Sequence, residues 1–206
     1  MGHGPGLGWE RFFAGQVRMA SAGQAERAIA LIELSSIAAG VLTCDAMVKE
    51  APVRLVEAKP VCPGKYIVLV AGDESSTESA YRRGLEVGDD AVLDHLHITG
   101  LHAQVMPALT GGVKLDAFDS AGVIETTTVA GTILAADAAA KAAPVTLTEV
   151  RLAVGLGGKA FVVMSGTLAD VEASVAAGVA AVPKPEHVVR SVVIPNPHKD
   201  LNRFML

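Results

Sequence analysis

The sequence predicts an α+β fold made of two tandem ferredoxin-like βαββαβ units, and three observations lead to it. First, Asp45-Ala46 and Ala51-Pro52-Val53 recur at one constant offset as Asp137-Ala138 and Ala143-Pro144-Val145. Second, strand-like and helix-like patterns follow each other in the same order in both copies. Third, half of the 206 residues are hydrophobic and only 19% are charged, which is ample for a core. Each unit should place its helices on one face of an antiparallel sheet.

A strand and a helix open each unit. Residues 27–34 are strand-like, Ser35-Ser36 can cap the helix that follows, and Pro52 stops it, as Pro144 does in the second copy. Apolar side chains recur in this helix at three- and four-residue spacing, which predicts one apolar stripe. The stripe consists of Ile37, Val41, Cys44 and Val48 in the first copy and of Val129, Ile133, Ala136 and Ala140 in the second.

Two strands, residues 53–58 and 66–71 in the first copy, come next and are joined by the loop Lys59–Lys65. A second helix follows, and a capping-box pattern predicts its start. A fourth strand and a short helical tail complete each unit. The capping boxes are Ser75 to Glu78 and Thr167 to Asp170, and the fourth strands are residues 91–98 and 187–194.

These patterns give a first domain at residues 25–115 and a second at 120–206. Residues 1–24 are Gly-rich, lack the continuous apolar core of a secretory signal, and are predicted to form a flexible extension. No uninterrupted apolar segment approaches the length of a transmembrane helix, about 18 residues, so no membrane partner is expected. The net charge of −5 argues against nucleic acid as a partner.

The loop Lys59–Lys65 carries the most distinctive chemistry. Pro63 and Gly64 predict a tight turn that presents Cys62 at the tip of a strand-to-strand loop. One thiol cannot hold an iron–sulfur cluster, which needs several thiolates, but a symmetric oligomer could bring copies of the loop together on its axis. The other cysteine, Cys44, lies on the helical stripe and is predicted to act as a small buried hydrophobe.

No catalytic set is apparent. The sequence has no nucleophile elbow, no HExxH motif and no paired carboxylates in a Gly-framed pocket. His95 and His97 alternate on one strand, which puts both on one face, but no carboxylate or cysteine falls at a convincing partner position. We therefore expect that the protein is not an enzyme.

Several motifs, found in the same order in both halves, resemble the bacterial microcompartment shell domain. They are Glu33-Leu34, Asp45–Lys49, Ala51–Leu55 and Ile194–His198. Two such domains in one chain are similar to the tandem-domain shell proteins, which form trimers shaped like a hexagonal tile. The resemblance extends from Glu26 to Leu206 and implies a homotrimer that forms a pseudohexamer.

Within that family, Val61–Lys65 and Gly155–Lys159 are most similar to the propanediol-utilisation type, in which first-copy cysteines of three subunits hold a [4Fe–4S] cluster on the threefold axis. The resemblance therefore implies that Cys62 is the metal and cofactor ligand, with one [4Fe–4S] cluster per trimer. It implies that Lys49 and Lys141 lie at tile edges, although a cation is also favourable at a helix C-terminus. The pore-lining residues that it implies are Val61, Pro63, Gly64, Gly155, Leu156 and Gly157.

We therefore expect a cytoplasmic microcompartment shell tile that meets other shell proteins at its edges and passes electrons across the shell. Its electron partner would be a redox enzyme, either encapsulated or cytosolic. Two alternatives stay open: a pore for small metabolites with no bound cluster, and a cytosolic ligand-binding regulatory oligomer.

Overall fold

The computed structural model describes residues 28–115, 117–152 and 157–202, without the Asn202 side chain. The expected N-terminal extension, residues 1–24, lies outside these ranges. No helix in the described ranges is long and apolar enough to cross a membrane.

Each half of the chain folds as βαββαβ, as the sequence predicts. The first half contains β1 (Ala28–Leu34), α1 (Ile37–Glu50), β2 (Arg54–Val61), β3 (Lys65–Gly72), α2 (Glu74–Gly88) and β4 (Val92–Thr99). A short helix, α3 (Val105–Thr110), connects the halves. The second half contains β5 (Ser120–Thr126), α4 (Val129–Ala142), β6 (Thr146–Arg151), β7 (Ala160–Gly166), α5 (Leu168–Ala180) and β8 (Val188–Pro195), and α6 (Lys199–Asn202) follows it.

The two sheets have the same topology. Their strand orders are β2-β3-β1-β4 and β6-β7-β5-β8, and all neighbouring strands are antiparallel. The register repeats as well, because Ile32 lies opposite Val68 and its counterpart Ile124 lies opposite Val162. The duplicated α+β architecture is therefore confirmed.

Helix starts follow the predicted capping chemistry with one exception. Ser36 accepts a hydrogen bond from the Ala39 N–H, and Thr167 accepts one from the Asp170 N–H. The predicted capping box at Ser75 is wrong, since α2 starts earlier and Asp73 is its N-cap. Hydrogen bonds from the Ser76 N–H and from the Ser76 and Ser75 hydroxyls lower the pKa of Asp73 to about 2, so this cap is a carboxylate.

Strand β1 is buried on both faces, and this joins the two domains. Ile32 and Leu34 pack with Met47 of α1 inside the first domain. Ile29 and Leu31 face the other way and belong to a buried cluster that includes the apolar side chains of α4. Helix α4 of the second domain thus covers the outer face of the first sheet.

The predicted apolar stripe behaves differently in the two copies. In α4 it is buried, with Ile133 fully inaccessible. In α1 it is not, because Val41 is 55% exposed and Ile37 and Val48 are also exposed. The buried face of α1 consists instead of Gly40, Thr43 and Met47. Cys44 is consequently only half-buried, which corrects the expectation that it is a core residue.

Candidate functional site

Cys62 lies at the tip of the β2–β3 hairpin, where the sequence predicts it. Val61 pairs with Lys65 as the last rung of the ladder, so Cys62, Pro63 and Gly64 form the turn. Gly64 has φ +79°, a left-handed conformation that glycine adopts without strain. Cys62 is a free, exposed thiol, whereas the Val61 side chain is buried in the core.

The second-copy hairpin supports the first. A Cβ atom on Gly158 would lie 2.9 Å from the Cys62 carbonyl oxygen and 3.0 Å from Pro63 Cδ. Gly158 therefore lets the two hairpins meet backbone to backbone inside one chain. Gly64 and Gly157, in contrast, have no atom within 4 Å of an added Cβ and adjoin open space. Gly155 and Leu156 fall outside the described residues, and the pore-lining role of this set stays a prediction.

Charges beside the two hairpins are matched in pairs. Lys65 Nζ lies 2.8 Å from Glu33 Oε1, Lys159 Nζ lies 2.9 Å from Glu125 Oε1, and Lys59 Nζ lies 3.1 Å from Glu57 Oε2. Arg151 and Glu149 form a fourth pair next to β7. These cations are paired within the chain, so Cys62 is the reactive group that the β2–β3 tip presents.

The thiol donor suits an iron–sulfur cluster only if several subunits contribute. The described part of the chain contains no group of three or more His, Cys, Asp or Glu residues that could hold a metal ion. Iron–sulfur clusters are held by cysteine thiolates, and an exposed hairpin tip is a position that symmetry can multiply around an axis. Cys44 is the poorer donor, because burial and the nearby Asp45 carboxylate raise the pKa of its thiol.

His95 and His97 are held by helix α2. Tyr81 Oη lies 2.6 Å from His95 Nδ1, and Thr77 Oγ1 lies 3.1 Å from His97 Nε2. The Tyr81 ring also stacks on His97 with 5.5 Å between ring centroids. These contacts explain the two histidines as part of the α2–β4 packing.

Alanine at Gly158 should disturb the Cys62 turn, whereas alanine at Gly157 should not. Both positions have positive φ, but only at 158 does a side chain also meet backbone atoms. We expect Gly158→Ala to lower the free energy of unfolding by about 1–3 kcal/mol more than Gly157→Ala and to change the alkylation rate of Cys62. Urea unfolding and timed iodoacetamide labelling measure both effects, and equal results for the two variants would contradict the packing.

A second surface concerns assembly. Helix α1 exposes Ile37, Val41, Leu42 and Val48, while their counterparts in α4 pack on the first sheet. The matching face of the second sheet is uncovered only in part, because Val192 of β8 is 38% exposed while its counterpart Leu96 of β4 is 4% exposed. Elsewhere on this face, Phe118 of the linker forms a buried cluster with Ala121 and Val163. One chain therefore contains one complete helix-on-sheet contact and the two unpaired halves of another.

Lys49 and Lys141 lie in the last turns of α1 and α4, and both are exposed. Lys49 Nζ is 2.7 Å from Asp45 Oδ2, and Lys141 Nζ is 2.5 Å from Asp137 Oδ2. Each lysine sits four residues after its carboxylate, the order that stabilises a helix. Their role at tile edges stays a prediction.

Sequence reasoning missed two features of this region. It did not anticipate the contact of Gly158 with Cys62. It also did not anticipate that Glu33, a fully buried carboxylate in an apolar strand, pairs with Lys65. A signal for Glu33 was present, since Ile32-Glu33 recurs as Ile124-Glu125 and Lys65 recurs as Lys159. Because a buried charge is costly without a partner, a Glu and a Lys that both recur in the two copies indicate a specific ion pair.

Comparison with known proteins extends over both halves. Residues 28–101 and 120–197 each match the family model of the BMC domain. The bacterial microcompartment shell protein PduT of Citrobacter freundii is 38% identical over 180 residues, which cover 87% of this chain and 98% of that protein. The carboxysome shell protein CsoS1A of Hydrogenovibrio crunogenus is 37% identical over 87 residues, 40% of this chain and 90% of that protein.

Two solved structures of microcompartment proteins are also similar to this chain. A microcompartment protein from Desulfitobacterium hafniense DCB superposes with a TM-score of 0.79 at 45% identity, covering 87% of this chain and 99% of that one. The fused permuted hexameric shell protein MSM0275 of the RMM microcompartment has a TM-score of 0.58 at 21% identity, covering 81% of this chain and 86% of that one, and shares the fold.

Proposed function

This chain belongs to the BMC-domain family of bacterial microcompartment shell proteins, and on that premise we propose that it is a trimeric tile whose three Cys62 residues hold one [4Fe–4S] cluster in the central pore. Proteins of this family are structural components of a shell and not enzymes. We further propose that the cluster passes electrons across the shell.

The unpaired surfaces support a ring of three chains. Within each chain, α4 covers the outer face of the first sheet. The exposed α1 stripe could cover the part of the second sheet around Val192 that is exposed in the single chain. If α1 of each subunit covers the second sheet of the preceding one, three chains complete six equivalent positions and leave neither surface in water.

The exposed thiol at the β2–β3 tip is the observation that carries the cluster proposal. A threefold axis beside this tip would bring three Cys62 thiolates together. Three thiolates can ligate three irons of a cubane and leave the fourth iron to water or another small ligand. When bound, the cluster supplies a one-electron redox centre, which would serve a redox enzyme inside or outside the shell. Gly158 packs closely against the backbone of the Cys62 turn. Lys65 and Lys159 are paired with Glu33 and Glu125, which leaves the Cys62 thiol as the available ligand at this tip.

One observation favours a second candidate function. Gly64 and Gly157 face open space at their hairpin tips, so small groups there would leave an opening through which metabolites could pass. In that case Cys62 lines a pore and binds nothing. The family membership favours either kind of shell tile over the regulatory oligomer.

Anaerobic purification with iron supplied separates the two functions. We expect a brown trimer that absorbs broadly in the visible blue and contains about four irons and four sulfides per three chains. A colourless trimer without iron under these conditions would exclude the cluster and leave the metabolite pore.

The proposed edge role of the two lysines predicts a loss of sheet formation without loss of the trimer. Replacing Lys49 and Lys141 together by Asp should prevent the trimers from forming two-dimensional sheets, because each edge would then bear like charges beside Asp45 and Asp137. The trimer itself should stay folded, since both lysines are exposed. Negative-stain microscopy shows the sheets and circular dichroism shows the fold; sheets that persist unchanged would refute the edge role.

A further inference from the structure

Glu33 on β1 caps helix α4 across the domain boundary. Its side chain is fully buried, Oε2 accepts a hydrogen bond of 3.0 Å from the Val129 N–H, and Oε1 accepts one of 2.8 Å from Lys65 Nζ. Val129 is the first residue of α4. The first N–H groups of a helix lack partners within the helix and attract negative charge. Glu33 therefore provides a charged cap for α4, and Lys65 compensates its charge.

The helices differ in where their N-terminal negative charge comes from. Helices α2 and α5 have their own acidic residues in the first turn, Glu74 and Asp170. Helices α1 and α4 have none, although Ser36 and Thr128 serve as ordinary N-caps. For α4 the neighbouring domain supplies the charge. For α1, no described residue of the same chain accepts a hydrogen bond from the Ile37 N–H, the group equivalent to that of Val129.

Glu125 on β5 has the same setting as Glu33 but no helix to cap. Glu33 lies opposite Ile67 in its sheet, and Glu125 lies opposite the equivalent residue, Phe161. Lys159 pairs with Glu125 as Lys65 does with Glu33. The Glu125 side chain is nevertheless 34% exposed, whereas that of Glu33 is inaccessible. Glu125 thus keeps its counterion and lacks its helix.

We propose that Glu125 of each subunit caps helix α1 of the next subunit by accepting a hydrogen bond from the Ile37 backbone N–H. This inference rests on the proposed ring of three chains and names the polar contact that fixes its register. The contact also orients the α1 stripe on the second sheet, because the carboxylate meets the helix end in one position only.

A second hydrogen bond inside the chain also has a counterpart pair that is unconnected within the described part of the chain and that the proposed interface would join. Inside the chain, the His102 N–H donates a 2.8 Å hydrogen bond to Asp137 Oδ1, and the Asp137 side chain is only 11% exposed. The counterparts are His198 and Asp45, and the Asp45 side chain is 53% exposed. The geometry that puts Glu125 on α1 therefore also brings the His198 N–H of the same subunit to Asp45 of the next one.

Hydrogen exchange at the α1 N-terminus tests the cap directly. In the wild-type trimer the Ile37 amide should be protected, and Glu125→Ala should accelerate its exchange by at least about tenfold, since a hydrogen bond to a charged group is lost. Glu172→Ala is the matched control, because Glu172 is an exposed glutamate of the same domain. It should leave the exchange unchanged.

A variant of the donor completes a double-mutant cycle. Proline is tolerated at the first position of a helix and has no N–H, and Ser36 before it has the extended backbone that proline requires. Ile37→Pro therefore removes the donor, while Ile37→Ala shortens the side chain and keeps it. We expect the proline variant to dissociate at least about tenfold more readily than the alanine variant when Glu125 is present and equally readily when residue 125 is alanine.

The outcomes separate this inference from the trimer itself. If the wild-type protein is a trimer, and neither Glu125→Ala nor Ile37→Pro differs from its control, the cap is refuted and the ring stands. If the wild-type protein sediments as a monomer, the ring is refuted and the cap with it.

Discussion

Replacement of Cys62 by serine should abolish the bound iron and the visible absorption while the trimer stays intact. Serine oxygen is a far poorer ligand than a thiolate for iron in sulfide surroundings. Because Cys62 is exposed at a hairpin tip, its thiol adds nothing to the buried core, and the substitution should leave the fold unchanged. We expect less than about one-tenth of the wild-type iron after anaerobic purification with iron supplied.

Cys44→Ala is the control for this experiment. Cys44 is half-buried on α1, so alanine should cost about 1 kcal/mol of unfolding free energy and leave the iron content unchanged. Iron and sulfide analysis, visible absorption and sedimentation of both variants check the prediction. Iron that is retained by Cys62→Ser and lost from Cys44→Ala would show that the wrong cysteine has been assigned to the axis.

The same substitution at two equivalent positions should separate assembly from folding. Val41 of α1 is 55% exposed in the single chain, whereas its counterpart Ile133 of α4 is fully buried against the first sheet. Val41→Asp should therefore give a folded protein that no longer forms trimers, because a buried unpaired carboxylate costs about 2 kcal/mol or more at each interface. Ile133→Asp should lower the free energy of unfolding by about 4 kcal/mol or more.

Sedimentation and urea unfolding distinguish the two effects. Val41→Asp should sediment as a monomer with a circular dichroism spectrum like that of the wild type, and Ile133→Asp should unfold at much lower urea or fail to accumulate. A Val41→Asp protein that remains trimeric at micromolar concentration would contradict the role of α1 at the subunit interface.

The predictable part of the fold follows from local chemistry. Alternation of apolar residues, the turn at Pro63-Gly64 and the hydroxyl caps at Ser36 and Thr167 act within a few residues, so the sequence alone indicates them. The start of α2 differs from the prediction because Asp73, two residues before the Ser-x-x-Glu pattern, is the N-cap and accepts hydrogen bonds from Ser75 and Ser76. The hairpin position of Cys62 is likewise a local property, whereas its proposed convergence on an axis depends on other chains.

Burial of the helix stripes could not be predicted, because the two copies have the same pattern. Val41 and Ile133 have equivalent positions and similar side chains, yet one is exposed and the other inaccessible in the chain. The difference arises from which sheet each helix reaches: α4 packs on the first sheet of its own chain, whereas the α1 stripe is exposed in the described part of the chain. Long-range contacts of this kind are not encoded in periodicity.

The fusion of the two domains by α3 has a consequence for stoichiometry. A ring of six identical subunits must place the same residue at all six positions, whereas a ring of three fused chains can let alternate positions diverge. The residue before Gly157 in the second loop is Leu156, where the first loop has Cys62. A fused ring would thus offer three thiols in place of six, a number that a cubane can accept at three corners. If the proposed ring forms, halving the symmetry in this way would turn a pore with six equivalent sides into a site with three equivalent ligands.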